Sequence, residues 1–281
     1  MGTPLAVMGC GYVGTVLAEY WQQQGHQVIG TTTHPERIAV LQSVLTNAIV
    51  LRGDDGPGVS KLCHGHNTVV AAVAPPRAQA GAPKVYAATY LPLAQNLAAA
   101  LEQATEDLQV IYLSSCSVYG DRQGHWVDET APILPTNDQI QVLHEAEQTL
   151  LSAAQFSSQQ VCILRLGGIY GPGRELLKRY ASLAGKTLPG QGDRVINWIH
   201  LADIVGAIEF ARAHSLGGIY NLVDDSVMTV REQVELVCNH HQLPSVTWDA
   251  SQPSQAVKNL RVSNQKLKTA GYPLLYPKLV A

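Results

Sequence analysis

Gly9, Gly11 and Gly14, in the run Gly9-Cys10-Gly11-Tyr12-Val13-Gly14, are the residues whose spacing points most directly to chemistry. A G-x-G-x-x-G run grips a pyrophosphate when it ends a strand and opens a helix. The first glycine makes the tight turn, the second lets the phosphates reach the backbone, and the third lets helix and strand pack closely. The N–H groups and partial positive charge of the helix start then face the anion. Alone the pattern is weak, because a chain with 24 glycines produces it by chance. Here the apolar Leu5-Ala6-Val7-Met8 precedes it and a helical stretch from Val13 to Trp21 follows, which is the required context. Cys10, Tyr12 and Val13 share the turn and join the glycines as expected cofactor contacts. The structural alternative is a glycine-rich turn with no ligand.

The end of the second strand, Gln27-Val28-Ile29-Gly30, decides which dinucleotide fits. An acid there bonds the ribose 2′-hydroxyl of NAD and repels a 2′-phosphate. This chain has Thr31-Thr32-Thr33-His34 instead, with Arg37 in the next turn, and its first acid is Glu36. Hydroxyls plus a guanidinium suit a phosphate, so NADP is expected ahead of NAD. Arg37 also reads as a solvated helix charge. Asp54, beyond the third strand, is a candidate adenine contact; its alternative is a plain loop acid.

These residues need a scaffold, and the chain supplies one. Ala48–Leu51, Thr68–Val73 (closed by Pro75-Pro76), Gln109–Leu113 and Val161–Leu166 are further apolar strands. Helical stretches run from about Tyr86 to Glu102 and from about Asp138 to Ala154. Short apolar strands without period-2 polarity, alternating with helices, indicate a parallel sheet buried on both faces. The expected fold is therefore α/β, a Rossmann doubly wound parallel sheet, with ligands at the carboxyl ends of its strands. Ala72, Val73 and Ala74 after the fourth strand, and Leu166 ending the sixth, are expected beside the cofactor on that rule. After Tyr170 turn signals multiply around Gly171-Pro172-Gly173, Leu188-Pro189-Gly190 and Gln191-Gly192. Residues 1–170 with 197–222 read as the dinucleotide domain, and 171–196 with 223–281 as a small substrate-binding lobe.

The bulk composition narrows the function classes. With 281 residues, 46 % hydrophobic, 15 % charged and a net charge of -3, nothing favours nucleic acid as a partner. No run of 18 apolar residues exists to span a membrane. Five scattered cysteines read as reduced thiols, and no cationic stretch precedes the first apolar run, so a cytoplasmic protein is expected. Cys63-His64-Gly65-His66 has no second ligand cluster and reads as a loop before a strand, so no metal is expected. The expected partner is a small molecule, with a homodimer as the candidate assembly.

Beyond the glycines, the chain carries Leu113-Ser114-Ser115-Cys116-Ser117-Val118-Tyr119-Gly120, Asp128-Glu129, Leu164-Arg165-Leu166-Gly167-Gly168-Ile169-Tyr170-Gly171-Pro172-Gly173, Ile199-His200-Leu201-Ala202-Asp203, Tyr220-Asn221 and Arg261-Val262-Ser263-Asn264. Over nearly its whole length it thereby resembles the extended and atypical short-chain dehydrogenase/reductases, the NAD-dependent epimerase/dehydratase group. The resemblance implies that Ser115 holds a substrate oxygen. It also implies a Tyr-x-x-x-Lys helix as acid/base, and there the chain departs. Counting back from Glu147 places Gln139 at the tyrosine and Leu143 at the lysine, and no Tyr-x-x-x-Lys occurs in the 281 residues. A phenol of pKa ~10 needs a nearby cation to act at neutral pH, and an amide cannot titrate at all. Thr136-Asn137-Asp138-Gln139 resembles a capping box instead. Replacements are limited to Ser115, Tyr119, His144 and Tyr170, each with a packing alternative: Tyr119 in the strand-to-loop turn, His144 facing solvent.

Family members acting on nucleotide sugars carry an asparagine soon after the sixth-strand arginine and a further arginine before the Ile-His pair. This chain has Gly168 at the first place and Ile196, Asn197 and Trp198 across the second. Arg174, Lys178 and Arg194 remain as anion contacts or as surface charges. A smaller or more apolar substrate is expected. The resulting expectation is an NADP(H)-binding oxidoreductase or epimerase-like enzyme, acting on a carbonyl or sugar-like molecule with non-standard acid/base chemistry. The alternative is a non-catalytic dinucleotide-binding sensor.

Overall fold

The computed structural model describes residues 3–75, 82–155, 159–254 and 258–281; Pro76 of the sequence reading lies outside them. The first half alternates strand and helix as the apolar runs require: β1 (Pro4–Met8), α1 (Tyr12–Gln23), β2 (Gln27–Thr32), α2 (Ile38–Gln42), β3 (Asn47–Val50), α3 (Gly56–His64), β4 (Thr68–Ala71), α4 (Pro83–Gln103) and β5 (Gln109–Ser115). After the short β6 (Trp126–Val127) come α5 (Asp138–Gln155) and β7 (Gln160–Leu166). The second half holds β8 (Gly168–Tyr170), α6 (Leu176–Tyr180), β9 (Thr187–Pro189), β10 (Trp198–His200), α7 (Leu201–Ala213), β11 (Gly218–Leu222), α8 (Val230–His240), β12 (Thr247–Asp249), β13 (Arg261–Val262) and α9 (Gln265–Thr269).

Seven strands form one sheet in the order β11-β7-β5-β4-β1-β2-β3, and every pairing from β5 to β3 is parallel. The order reverses between β1 and β4, the crevice where doubly wound sheets bind ligands. The expected α/β Rossmann sheet is the fold observed. Strand ends differ by a residue or two: β2 runs on through Thr31 and Thr32, and Ser115 is the last residue of β5 rather than just beyond it. Cys63 and His64 end a helix, α3, where the sequence reading had a loop. Asp55 caps that helix by accepting the Gly58 N–H, a signal lying in the Asp-Gly-Pro-Gly run.

Two compact units emerge from the packing: Met1–Val118, Pro135–Arg165 and Val205–Ile219 in the first, and Tyr119–Leu134, Leu166–Ile204 and Tyr220–Ala281 in the second. They differ from the sequence division at 119–134, 166–170, 197–204 and 220–222.

The first unit is centred on β1, β4 and β5, buried except for Pro4 and Ser115, with Leu17 and Trp21 of α1 and Leu93, Leu97 and Leu101 of α4 packed in. A buried polar knot joins three elements. Arg165 of β7 is buried, and its Nη2 donates to Glu147 Oε2 of α5 at 2.6 Å, with Nε between both carboxylate oxygens. Ser114 Oγ of β5 donates to Glu147 Oε1 at 2.5 Å. Asn137, not Thr136, caps α5, its Oδ1 accepting from Ile140 N at 3.0 Å.

In the second unit a buried glutamine has the organising part. Gln233 Oε1 accepts from Tyr180 Oη and Trp198 Nε1, and its Nε2 donates to the Ile196 and Met228 carbonyls. All four of its hydrogen bonds are thereby made, which offsets its burial beside Val234, Val237 and Leu279. Thr229 and Glu232 form a full capping box on α8. Buried Asp203 holds the terminal segment by accepting the Leu275 and Tyr276 N–H groups.

Removing Glu147 leaves a guanidinium buried without its counter-ion. Glu147→Ala is therefore expected to destabilise by about 3–5 kcal/mol, lowering Tm by roughly 6–20 °C. Glu147→Leu combined with Arg165→Met should recover most of that loss. Thermal unfolding of the three proteins decides; a double variant no better than Glu147→Ala would sink the ion-pair account.

Candidate functional site

The glycine turn folds as its spacing requires. Gly9 adopts φ +89°, and a Cβ there would meet the Ala72 carbonyl oxygen at 2.9 Å. At Gly14 a Cβ would collide with the Gly9 carbonyl, so helix and turn touch backbone to backbone. Gly11 is exposed, and a Cβ on it would meet nothing within 4 Å among the described residues. Two of the glycines are thus demanded by packing, whereas Gly11 borders open space in front of the α1 N-terminus. Among the described residues no side chain caps that terminus, and no acid lies in its first turn to offset its partial positive charge. A pyrophosphate fits this arrangement, with Gly11, Tyr12 and Val13 at the opening helix turn.

Thr31 lies beneath the turn. Its Oγ1 accepts from Gly9 N at 3.1 Å, its carbonyl accepts from Cys10 N at 2.7 Å, and it is buried. Thr32 is buried as well and accepts from His34 N. Of the three threonines only Thr33 is exposed, its hydroxyl 3.0 Å from His34 Nδ1. Burial first of all pushes the Cys10 thiol up to about 11, and the charge of Arg37 works in the opposite direction. That coupling puts the half-buried Arg37 guanidinium within electrostatic reach of the glycine turn. Asp54 is exposed and takes two hydrogen bonds from Arg52 at 2.9 Å, which hold its carboxyl below the ordinary range. Ala72 touches the turn from the end of β4, with Val73 beside it and Ala74 exposed. Leu166 is buried at the end of β7.

Ser115 closes β5, half-buried, and its Oγ accepts from Ser117 N at 3.1 Å. That bond uses a lone pair and leaves the hydroxyl proton for another acceptor. Tyr119 is buried, and its Oη donates to Asn221 Oδ1 at 2.8 Å. Asn221 in turn donates from N to Glu129 Oε1 and from Nδ2 to the Ser263 carbonyl. The candidate Tyr119 and three other motif residues, Glu129, Asn221 and Ser263, therefore brace one another. His144 does not face solvent: it is half-buried, and its Nδ1 meets no partner among the described residues. Gln139 and Leu143 lie in the first turns of α5, Leu143 fully buried. Gly168 is bare for a packing reason, since a Cβ there would strike the Trp198 ring at 2.8 Å.

Sequence reasoning overlooked two features. The Ser114–Glu147–Arg165 knot was signalled by an acid on the apolar stripe of α5. The other is a set of phenols in the first unit: Tyr86 and Tyr90 of α4, with ring centroids 4.8 Å apart, and Tyr112 of β5. Their signal was the i, i+4 spacing of two tyrosines at the start of a helix. Among the described residues no His/Cys/Asp/Glu group could hold a metal, and no helix is long and apolar enough to cross a membrane.

A doubly wound parallel sheet with a phosphate-type glycine turn at its first helix defines a dinucleotide-fold protein. The NAD dependent epimerase/dehydratase family model matches residues 5–222, and the chain belongs to that family. Comparison with curated proteins finds no match. Among solved structures, a functionally unknown conserved protein from Silicibacter pomeroyi DSS is 25% identical with a TM-score of 0.74, over 98% of this chain and 95% of that one. UDP-glucose 4-epimerase of Thermus thermophilus, solved with NAD, is 20% identical with a TM-score of 0.76, over 97% and 94%. A dTDP-glucose 4,6-dehydratase (DesIV double mutant) from Streptomyces venezuelae, solved with NAD and DAU, is 18% identical with a TM-score of 0.78, over 96% and 91%.

Two predictions follow from this geometry. Gly11→Ala should leave Tm unchanged yet weaken dinucleotide binding at least tenfold by calorimetry, whereas Gly14→Ala should lower Tm; the reverse pattern would overturn the assignment of their roles. In the second unit, burial followed by the nearby Asp225 and Asp203 charges raises the Asp224 carboxyl to about 7, against a single opposing bond from Ser226 N. The folded state holds this proton more tightly than the unfolded chain. Its contribution to stability is complete below the ordinary carboxyl pKa and is lost as pH rises through about 7. Wild-type Tm should therefore fall relative to Asp224→Asn between pH 5 and pH 8, and parallel curves would refute the shift.

Proposed function

We propose that this chain is an NADP(H)-binding oxidoreductase of the short-chain dehydrogenase/reductase type, acting on a small carbonyl compound without the family's tyrosine–lysine pair. The observation that carries the reading is the Gly9–Gly14 turn, with Gly11 bordering open space before an uncapped helix. Gly9, Gly11, Gly14 and the α1 N-terminus hold the pyrophosphate. Thr33 and Arg37 receive the 2′-phosphate, Thr31 supporting them from below. Ala72, Val73, Ala74 and Leu166 line the cofactor, and Asp54 reaches the adenine by exchanging its Arg52 bond. NAD is the competing cofactor, favoured by its presence in the epimerase and dehydratase structures.

When bound, the dinucleotide supplies or accepts a hydride at its nicotinamide. Everything else falls to the chain. Ser115 donates its hydroxyl proton as a hydrogen bond to the substrate oxygen, polarising the carbonyl without itself titrating. Tyr119, whose proton is committed to Asn221, is the weaker candidate. Residues 1–170 with 197–222 serve the dinucleotide, and 171–196 with 223–281 shape the substrate side. Trp198 packed over Gly168 favours a substrate smaller or more apolar than a nucleotide sugar.

A second reading has its own support. The absence of any Tyr-x-x-x-Lys favours a sensor that reports dinucleotide state without turnover.

Calorimetry should show NADPH binding more tightly than NADH, and Arg37→Ala should narrow the gap. Equal affinities would remove the 2′-phosphate argument. Against a panel of aldehydes and ketones, Ser115→Ala should lower NADPH-dependent turnover ~10²-fold or more, as loss of a well-placed oxyanion donor does. Binding without turnover on any carbonyl would move the sensor reading ahead.

A further inference from the structure

The glycine turn lies at the carboxyl end of β1, and the amino end of the same sheet carries a separate cavity. It measures about 160 Å³, belongs wholly to the first unit, and sits where β1, β4 and β5 begin. The length of β1, roughly 15 Å, separates it from the glycine turn. One wall is the connection from α3 to β4, with His64 and His66. The other is the connection from α4 to β5, with Glu106 and Asp107. Ala100 and Leu108, both buried, add an apolar lining.

Both walls are held in place. Buried Gln159 accepts from Leu108 N at 2.6 Å and donates to the Ala104 carbonyl at 3.4 Å, which fixes the acid-bearing loop at its two ends. On the other side Asn67 N donates to the Pro4 carbonyl at 3.1 Å. His64 Nδ1 lies 2.7 Å from the Ser60 carbonyl, and His66 Nδ1 lies 2.7 Å from the Leu62 carbonyl. A carbonyl only accepts, so each Nδ1 bears the proton and each neutral ring keeps a lone pair on Nε2. Capping of α3 accounts for the Nδ1 bonds. It engages neither Nε2.

The charge of the cavity has one sign. Among the described residues neither Glu106 nor Asp107 is ion-paired, and no lysine or arginine lines the cavity. Both flanking helices end beside it, α3 at His64 and α4 at Gln103, and two helix C-termini add partial negative charge.

We propose that this cavity binds a small organic cation through a primary ammonium, at a site independent of the dinucleotide. The three N–H donors of an ammonium match the Glu106 and Asp107 carboxylates and the Nε2 atoms of His64 and His66. An anion would instead meet two carboxylates and two helix C-termini. A quaternary ammonium calls for aromatic faces, and no Phe, Tyr or Trp lines the cavity among the described residues. Nor do the described residues group three ligands for a metal ion. A volume of about 160 Å³ equals roughly five water molecules at ~30 Å³ each, well under the ~300 Å³ of ordinary ligand pockets. The carbon chain is therefore short, about four carbons.

Calorimetry of the full-length protein with putrescine, a four-carbon diamine, tests this at low ionic strength. One molecule should bind per chain and raise Tm. Glu106→Gln combined with Asp107→Asn should weaken binding at least about tenfold, and His64→Ala combined with His66→Ala about threefold or more. All four side chains are exposed or half-buried, so both variants should keep the wild-type Tm and NADPH affinity. Butane-1,4-diol, of the same length without the charge, should not bind. No putrescine binding at about 10 mM overturns the proposal, as does an affinity unchanged in either variant. Equal binding of the diol overturns it too, because charge would then have no part. None of these outcomes bears on the glycine turn, whose reading is tested by NADPH alone.

Discussion

A guanidinium cannot stay buried without a counter-charge, and Arg165 sits near the end of a central strand with no route to water. Glu147 answers it from α5, and Ser114 ties the same carboxylate to β5. One carboxylate thus locks two strands and a helix at the end of the sheet where ligands bind. The position of Ser115, the next residue along β5, follows from that lock. So does the course of α5, whose first turns carry Gln139 and Leu143. Low dielectric makes the knot strong when complete and costly when any member is missing.

The glycine turn shows a second constraint, the approach of backbone to backbone. Gly9 and Gly14 are glycines because the chain touches itself there, whereas a side chain on Gly11 would meet open space among the described residues. In the second unit polar residues again do the fixing. Gln233 satisfies four bonds at once, and the Tyr119–Asn221–Glu129 set joins strand ends to loops. Residues that read as chemistry in a list of motifs prove, in several cases, to be joinery.

The apolar runs and the glycine spacing determined the parallel sheet, the helix that follows β1 and the phosphate-type turn, because each depends on residues close in sequence. Periodicity likewise marked α4 and α5 to within a few residues. It missed α3, whose cap lies in a Gly-Pro-rich run that looks like loop, and it chose Thr136 over Asn137 as the α5 cap. What local pattern could not reveal was which side chains are consumed by others. Nothing in the local pattern shows that Thr31 Oγ1 accepts from Gly9 N or that Tyr119 Oη donates to Asn221. Glu147 and Arg165 were invisible as a pair, for 18 positions separate them along the chain. Only tertiary structure decides such cases, since a hydrogen bond or a shared recess joins residues by distance in space, on which sequence spacing is silent beyond one turn of helix.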